Sequence, residues 1–409
     1  MAYYPDWAAD TFPPEKIDFS FFDWIDFAFA IPDQTFNLTW DDPDNAPALL
    51  HRLVTTAHAN CKKVKLSIGG WTGSKYFSSA VATTETRERF TRNIISLYNT
   101  FNLDGVDIDW EYPGRPGDAE NRVSSKDSEN FLLFLQLLRT LMPPCAIISA
   151  AVASAPFVDA TGQPIKDMTK FAAVLNWIVL MNYDVWGSSQ DPGPNAPMYN
   201  ACKNSSQPDA SAVAAYKTWV ASGFSVSQLI LGLPSYGYIS NSRADSLRTR
   251  AMNMSEYALP SQRDRVKVVS VDGSDSQILF RQLLEQGALV RVPDEGHGTV
   301  SFNAASGFER RWDNCSETPF LHSSFVQQVI TYDDPLSLSL KARFIQQMGM
   351  LGANLFDIHG DTDEWDLTKA ITHGLGLSAL PGGYLNSDQI HQSPERSGVL
   401  LMKRCIKCL

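Results

Sequence analysis

Leu103-Asp104-Gly105-Val106-Asp107-Ile108-Asp109-Trp110-Glu111-Tyr112-Pro113 decides how this 409-residue chain is read. Val106, Ile108 and Trp110 alternate with Asp107, Asp109 and Glu111, the period of a β-strand. Side chains two residues apart share a face. Three carboxylates therefore point the same way, about 7 Å from one to the next. A surface strand could carry them as a solvated acidic edge. On a strand covered on both faces they must line an interior or its mouth. The strand has no Arg or Lys of its own to offset their desolvation. Neighbouring buried carboxylates cannot all ionise, so at least one should hold a proton at neutral pH. A protonated acid beside a charged one is what a hydrolase needs.

On both sides of this stretch, short apolar or β-branched runs recur. They are Ala2–Trp7, Trp24–Ile31, Val64–Ile68, Val106–Trp110, Ile147–Val152, Trp177–Asn182, Leu229–Leu233 and Asn354–Ile358. Amphipathic segments separate them, among them Pro47–Ala59, Thr86–Tyr98, Ser128–Leu141, Ala210–Ala221 and Ser339–Met350. Alternating strand and helix implies a parallel sheet with crossover helices. Eight strands of continuous apolar character suggest closure into an α/β TIM barrel, (β/α)₈. No G-x-G-x-x-G follows the first strand, as a doubly wound nucleotide-binding sheet would require.

The spacing breaks once, between Leu233 and Asn354. There a strand-like run, Val266–Val271, and a helical one, Ser276–Gln286, predict a small α+β insertion subdomain after strand seven. The expected division is a barrel over 1–237 and 333–380, an insertion over 238–332 and an unstructured tail over 381–409. That tail opens at Pro381-Gly382-Gly383. It contains Cys405 and Cys408, a lone C-x-x-C with no second Cys/His pair to complete a zinc site.

Hydrophobic residues make up 44% of the chain, enough for a large core, and the formal net charge is −11. An acidic surface argues against nucleic acid and anionic lipid as partners and favours a neutral or cationic substrate. No run of 18 apolar residues suggests a membrane span. Met1-Ala2-Tyr3-Tyr4-Pro5 carries no leader pattern, so a natural leader is missing from this version or the protein is intracellular. Sequons at Asn37, Asn204, Asn253 and Asn314 tilt the expectation toward an extracellular protein. A monomer without metal or cofactor is expected.

Asp104 to Glu111 also match D-G-x-D-x-D-W-E, the signature of glycoside hydrolase family 18, the chitinase family. The chain resembles that family from about Tyr3 to Leu377, most closely its fungal members. Ser67-Ile68-Gly69-Gly70-Trp71 is similar to its S-x-G-G on strand three. Met181-Asn182-Tyr183-Asp184 is similar to its M-x-Y-D on strand six, and Tyr332-Asp333-Asp334-Pro335 to its return from the inserted subdomain. The resemblance implies hydrolysis of chitin or chitooligosaccharides with help from the substrate's own acetamido group. Glu111 would protonate the glycosidic oxygen. Asp109 would turn to hold the acetamide N–H, and Asp107 would share its proton. Tyr183 would align the acetamide oxygen. Asp184 would bind substrate and tune the field at Glu111, while Tyr3 and Ser67 would solvate Asp107. Trp7, Trp71, Trp186 and Tyr236 follow strand ends, where the sugar groove should lie, and Met181 would pack beside the substrate.

Two positions depart from the family pattern. Phe356 stands where strand eight usually places the Trp beneath the cleaved sugar. Gly187-Ser188-Ser189 replaces a common Gly-Ser-Trp. The resemblance also sets Cys202 and Cys315 above one barrel mouth, where a bridge would pin the insertion to the rim and imply an oxidising compartment. Two other functions share this frame. One is a chitin-binding lectin, which typically loses the acid residue. The other is an endo-β-N-acetylglucosaminidase acting on N-glycans.

Overall fold

The apolar runs become eight parallel strands because each is covered on both faces. The computed structural model describes residues 1–203, 205–247, 266–270, 276–292 and 300–377. The strands are β1 Ala2–Pro5, β2 Trp24–Pro32, β3 Lys63–Gly69 and β4 Gly105–Asp109, then β5 Ile147–Val152, β6 Trp177–Leu180, β7 Leu229–Pro234 and β8 Gly352–Phe356. Each pairs with its neighbours in sequence order. β1 pairs with both β2 and β8, which closes the sheet into a TIM barrel. The helices outside it include α1 Ala46–Ala59, α2 Thr84–Thr100, α3 Asp127–Leu141, α4 Ala212–Ala221, α5 Pro335–Met348 and α6 Asp366–Gly374.

Helix α5 begins four residues before its apolar run. Pro335 takes the first turn, and the Asp334 carboxylate accepts the Ser337 N–H at 3.0 Å. Register places Ser67, Asp107 and Ser149 side by side on β3, β4 and β5. Residues of that parity face the barrel interior. The alternate set, including Leu66, Val106, Ile108 and Ile148, is buried in the core.

The stretch between β7 and α5 builds an antiparallel sheet. Its order is Gln277–Leu279, Tyr236–Asn241, Gln328–Thr331, Thr318–Ser323 and Glu309–Asp313. Its first strand starts at Tyr236, almost directly after β7. Two local expectations are corrected. The described part of Val266–Val271, residues 266–270, forms no strand, and Ser276–Gln286 divides into the strand Gln277–Leu279 and the short helix Phe280–Glu285. Strand pairing from Tyr236–Asn241 overrides the helical pattern there. Cys202 and Cys315 form a disulfide, Cα to Cα 5.2 Å, tying the loop after β6 to this sheet. The tail expected over 381–409, with Cys405 and Cys408, lies outside the described residues. So do the sequons at Asn204 and Asn253. No helix among the described residues is long and apolar enough to cross a membrane.

Candidate active site

The barrel interior changes character from one end to the other. At the N-terminal ends of the strands, Trp177, Val179 and Ile230 pack with Met1, Trp24 and Ile147. A cavity of about 800 Å³ opens at that end, opposite the C-terminal face where TIM-barrel chemistry sits. Above the apolar plug lies a buried polar layer. The Lys65 ammonium, fully buried, is 3.2 Å from Asp26, 3.8 Å from Asp107 and 2.5 Å from Ser149 Oγ. Asn354 Nδ2 donates to Asp26 at 3.0 Å.

The acids rise from this layer. Asp107 is fully buried and accepts three hydroxyls, from Tyr3 and Ser67 at 2.9 Å each and from Ser149 at 2.6 Å. Asp109, next along the same face, is also buried, and its Oδ1 has no hydrogen-bond partner among the described residues. Burial, then the negative charges of Glu111 and Asp107, hold its carboxyl well above the usual range. Glu111 stands at the end of β4. Burial pushes its carboxyl up to about 7, against a hydrogen bond with Tyr112, and the charge of Asp184 adds to the rise.

The backbone that carries Glu111 is clamped. Its N–H donates to Ser74 Oγ at 2.9 Å, and its carbonyl accepts from Asn121 Nδ2 at 2.9 Å. Ser74 donates in turn to the Gly70 carbonyl at 2.8 Å. Gly69 has φ +115°, and an added Cβ would lie 2.1 Å from the Asp109 carbonyl. Only glycine lets the β3 end lie this close to the acidic strand.

Aromatic rings close the floor. Phe356 lies 5.7 Å from Tyr183 in a stacked pair, and 5.3 Å from Tyr3 and 6.2 Å from Tyr236 edge-on. The Tyr183 hydroxyl is held well above its usual pKa, by burial first and then by Asp109, so it remains a donor at neutral pH. Asp184, at φ +57°, accepts hydroxyls from Tyr236 at 2.7 Å and Tyr238 at 2.6 Å on one oxygen. Desolvation by the surrounding side chains raises its carboxyl pKa and the two phenols oppose the rise, while part of the residue stays open to solvent. Met181 is half buried, in step with Val179 and Tyr183. Trp7 and Trp71 are exposed at 57% and 50% beyond the ends of β1 and β3. Among the described residues no His, Cys, Asp or Glu cluster could hold a metal ion.

The sequence profile described as "Glycosyl hydrolases family 18" matches residues 1–361. This chain belongs to glycosyl hydrolase family 18. A chitinase-like effector of Moniliophthora roreri is 34% identical over 384 residues, covering 92% of each chain. Chitinase A1 of Niallia circulans is 27% identical over 335 residues, 80% of this chain and 44% of that one. Among solved structures, a chitinase from Rhizomucor miehei superposes with a TM-score of 0.76 at 28% identity, covering 91% of this chain and 99% of that one.

Within the family frame, the structure brings Tyr3, Ser67, Asp107, Asp109, Glu111, Tyr183, Asp184, Tyr236 and Phe356 into one cluster. Trp186 does not join it. That residue is only 6% exposed and packs flat on Gly193, whose added Cβ would meet its ring at 2.5 Å. It borders instead a small recess with Tyr199, Asn200 and Cys315. Sequence reasoning missed Lys65, Ser74, Tyr112, Asn121, Ser149 and Tyr238. For Lys65 the signal was present: it alternates with Ser67 and Gly69, on the interior face of β3.

Proposed function

We propose that this chain hydrolyses β-1,4-linked N-acetylglucosamine polymers, chitin and its oligomers, by a retaining, substrate-assisted route. The observation that carries the reading is the Glu111 carboxyl. It is set at the C-terminal end of a barrel strand, backed by buried Asp109 and held near the pH at which it can both give and take a proton. Glu111 protonates the glycosidic oxygen as the bond to the anomeric carbon breaks. The substrate's acetamido oxygen attacks that carbon from the other face, giving an oxazolinium ion. Asp109 holds the acetamide N–H and balances the positive charge. The Tyr183 hydroxyl aligns the acetamide oxygen, and Asp107, with Tyr3, Ser67 and Ser149 around it, supports Asp109. Water then enters, gives its proton to Glu111 and opens the ring. Anchoring the acetamide makes the first attack unimolecular, which is where proximity lowers the barrier. Trp7, Trp71, Tyr236, Met181 and Phe356 contact sugar rings along the groove.

Two attacks at one carbon leave the β-anomer. NMR of a digest of the N-acetylglucosamine hexamer should therefore show β-anomer first. An initial α-anomer would contradict the route. The same digest, run beside a high-mannose glycoprotein, separates this activity from cleavage of N-glycans.

The pH profile gives a second check. Glu111 acts as an acid only while protonated, so raising the pH through about 7 removes the active form. kcat/KM should fall about tenfold per unit above that point. A profile flat to pH 9 would mean that Glu111 is not the acid.

A second reading, oligomer binding without hydrolysis, is favoured by the relatives named chitinase-like effectors. It predicts tight oligomer binding and no products from the same digest. The Cys202–Cys315 disulfide supports an oxidising, extracellular setting for either reading.

A further inference from the structure

Among the described residues, Asp184 has two neutral donors and no countercharge. Both phenol hydroxyls fall on the same oxygen, Oδ1. Among the described residues, the influences on it are those phenols and its own desolvation, with no cation among them. Behind Tyr238 stands Gln277, whose Nε2 donates to the phenol oxygen at 2.9 Å. An amide nitrogen only donates, so the phenol proton points to Asp184. A chain Gln277→Tyr238→Asp184 results, each bond polarising the next.

Backbone pairing enforces this geometry. Gln277 and Tyr238 are opposite each other in the antiparallel pair. Gly237 faces the other way, where an added Cβ would lie 1.8 Å from the Thr331 carbonyl. Tyr236 and Tyr238 must then share the face toward Asp184. The inserted sheet, rather than the barrel, therefore supplies the groups that hold this carboxylate.

Asp184 is felt at Glu111. Among the described residues, the titratable groups facing Glu111 are Tyr112, Asp109, Tyr183 and Asp184, all acids. A cation, Arg115, sits behind the Tyr112 ring at 5.9 Å and donates to the carbonyls of Ala155 and Pro156. A phenol steadies an anion by hydrogen bonding and leaves its field in place, whereas a guanidinium would cancel that field.

We propose that Tyr238, braced by Gln277, is a positioning residue that keeps Asp184 fixed and anionic without a countercharge, and so sets the upper pH limit of catalysis by Glu111. This rests on the hydrolytic reading above. Weakening the support lets Asp184 take up a proton more readily, and neutralising it with a cation removes its field. Either change lets Glu111 lose its proton at lower pH.

The test measures the alkaline limb of kcat/KM on the N-acetylglucosamine hexamer for wild type, Tyr238→Phe, Tyr238→Arg and Gln277→Leu. The limb should move to lower pH in all three, least for Gln277→Leu and most for Tyr238→Arg. The last should shift by about one unit, a tenfold change in proton affinity. A limb unmoved in every variant, with only kcat or melting temperature reduced, would make Tyr238 a packing residue and overturn the proposal. A parallel ¹³C NMR titration of carboxyl-labelled glutamate follows Glu111 directly, its signal assigned by loss in Glu111→Gln. This second readout needs no turnover. If wild type hydrolyses nothing, the hydrolytic reading falls, and the titration still decides whether Tyr238 governs the Glu111 proton. A Glu111 signal that titrates at the same pH in wild type, Tyr238→Phe and Tyr238→Arg would overturn the proposal on its own.

Discussion

Glu111→Gln should lower kcat on the N-acetylglucosamine hexamer by about 10²–10⁴-fold, the usual worth of a general acid, with oligomer affinity nearly unchanged. The contacts that place residue 111 come from its backbone, through Ser74 and Asn121, and survive the substitution. The amide keeps the shape of the carboxyl and has no proton of suitable acidity to give. It also removes a like charge from beside Asp109, whose carboxyl is raised partly by Glu111. Melting temperature should therefore hold or rise. Steady-state kinetics and calorimetric titration of the variant with oligomer check both halves. Turnover within tenfold of wild type would sink the assignment of the acid. Loss of binding together with turnover would point to a collapsed site. If wild type only binds oligomers, the substitution changes nothing that can be measured as turnover.

The barrel was legible because a strand buried on both faces has few ways to be written. All eight runs appear as barrel strands within a few residues of their expected ends. The acidic strand was legible for the same reason: alternation alone put Asp107, Asp109 and Glu111 on one face. What surrounds them was not. Ser149 lies on the neighbouring strand, Ser74 and Asn121 on loops after β3 and β4, and Tyr238 on an inserted sheet. Nothing local in their sequence marks them, since only closure of the barrel brings them to the acids. Trp186 misled because an aromatic residue after a strand can serve as a platform or as packing. Here a glycine seven residues ahead, at Gly193, made room for it inside. In the insertion, Ser276–Gln286 carries a helical period, yet its first residues pair as a strand with Tyr236–Tyr238. Tertiary pairing decided what the period could not.

Lys65 shows how far alternation could have carried. The absence of a cation within the acidic strand suggested that its carboxylates were uncompensated, but β3 delivers one from the side. Lys65→Met should cost about 3–5 kcal/mol of stability, the usual loss when one partner of a buried pair is removed. The variant leaves Asp26 fully buried, with Asn354 as its remaining donor. Burial already holds the Asp26 carboxyl at about 6, and Lys65 is the largest influence opposing that rise. Without the ammonium it should rise further. A carboxyl whose folded pKa lies above its unfolded value favours the folded state when protonated. That contribution is complete below the unfolded value, about 3.9, and disappears as pH rises through the folded one. The deficit of Lys65→Met against wild type should therefore be smallest near pH 4 and grow as pH climbs through 6 and above. Adding Asp26→Asn removes the stranded charge and keeps a polar group for Asn354. The double variant should regain most of the loss and lose its pH dependence. Urea unfolding at pH 4.5 and 8 separates the cases. A double variant as unstable as the single one at pH 8 would mean that Lys65 acts through Asp107, 3.8 Å away, or over the Trp177 ring, 5.0 Å away, and not through Asp26.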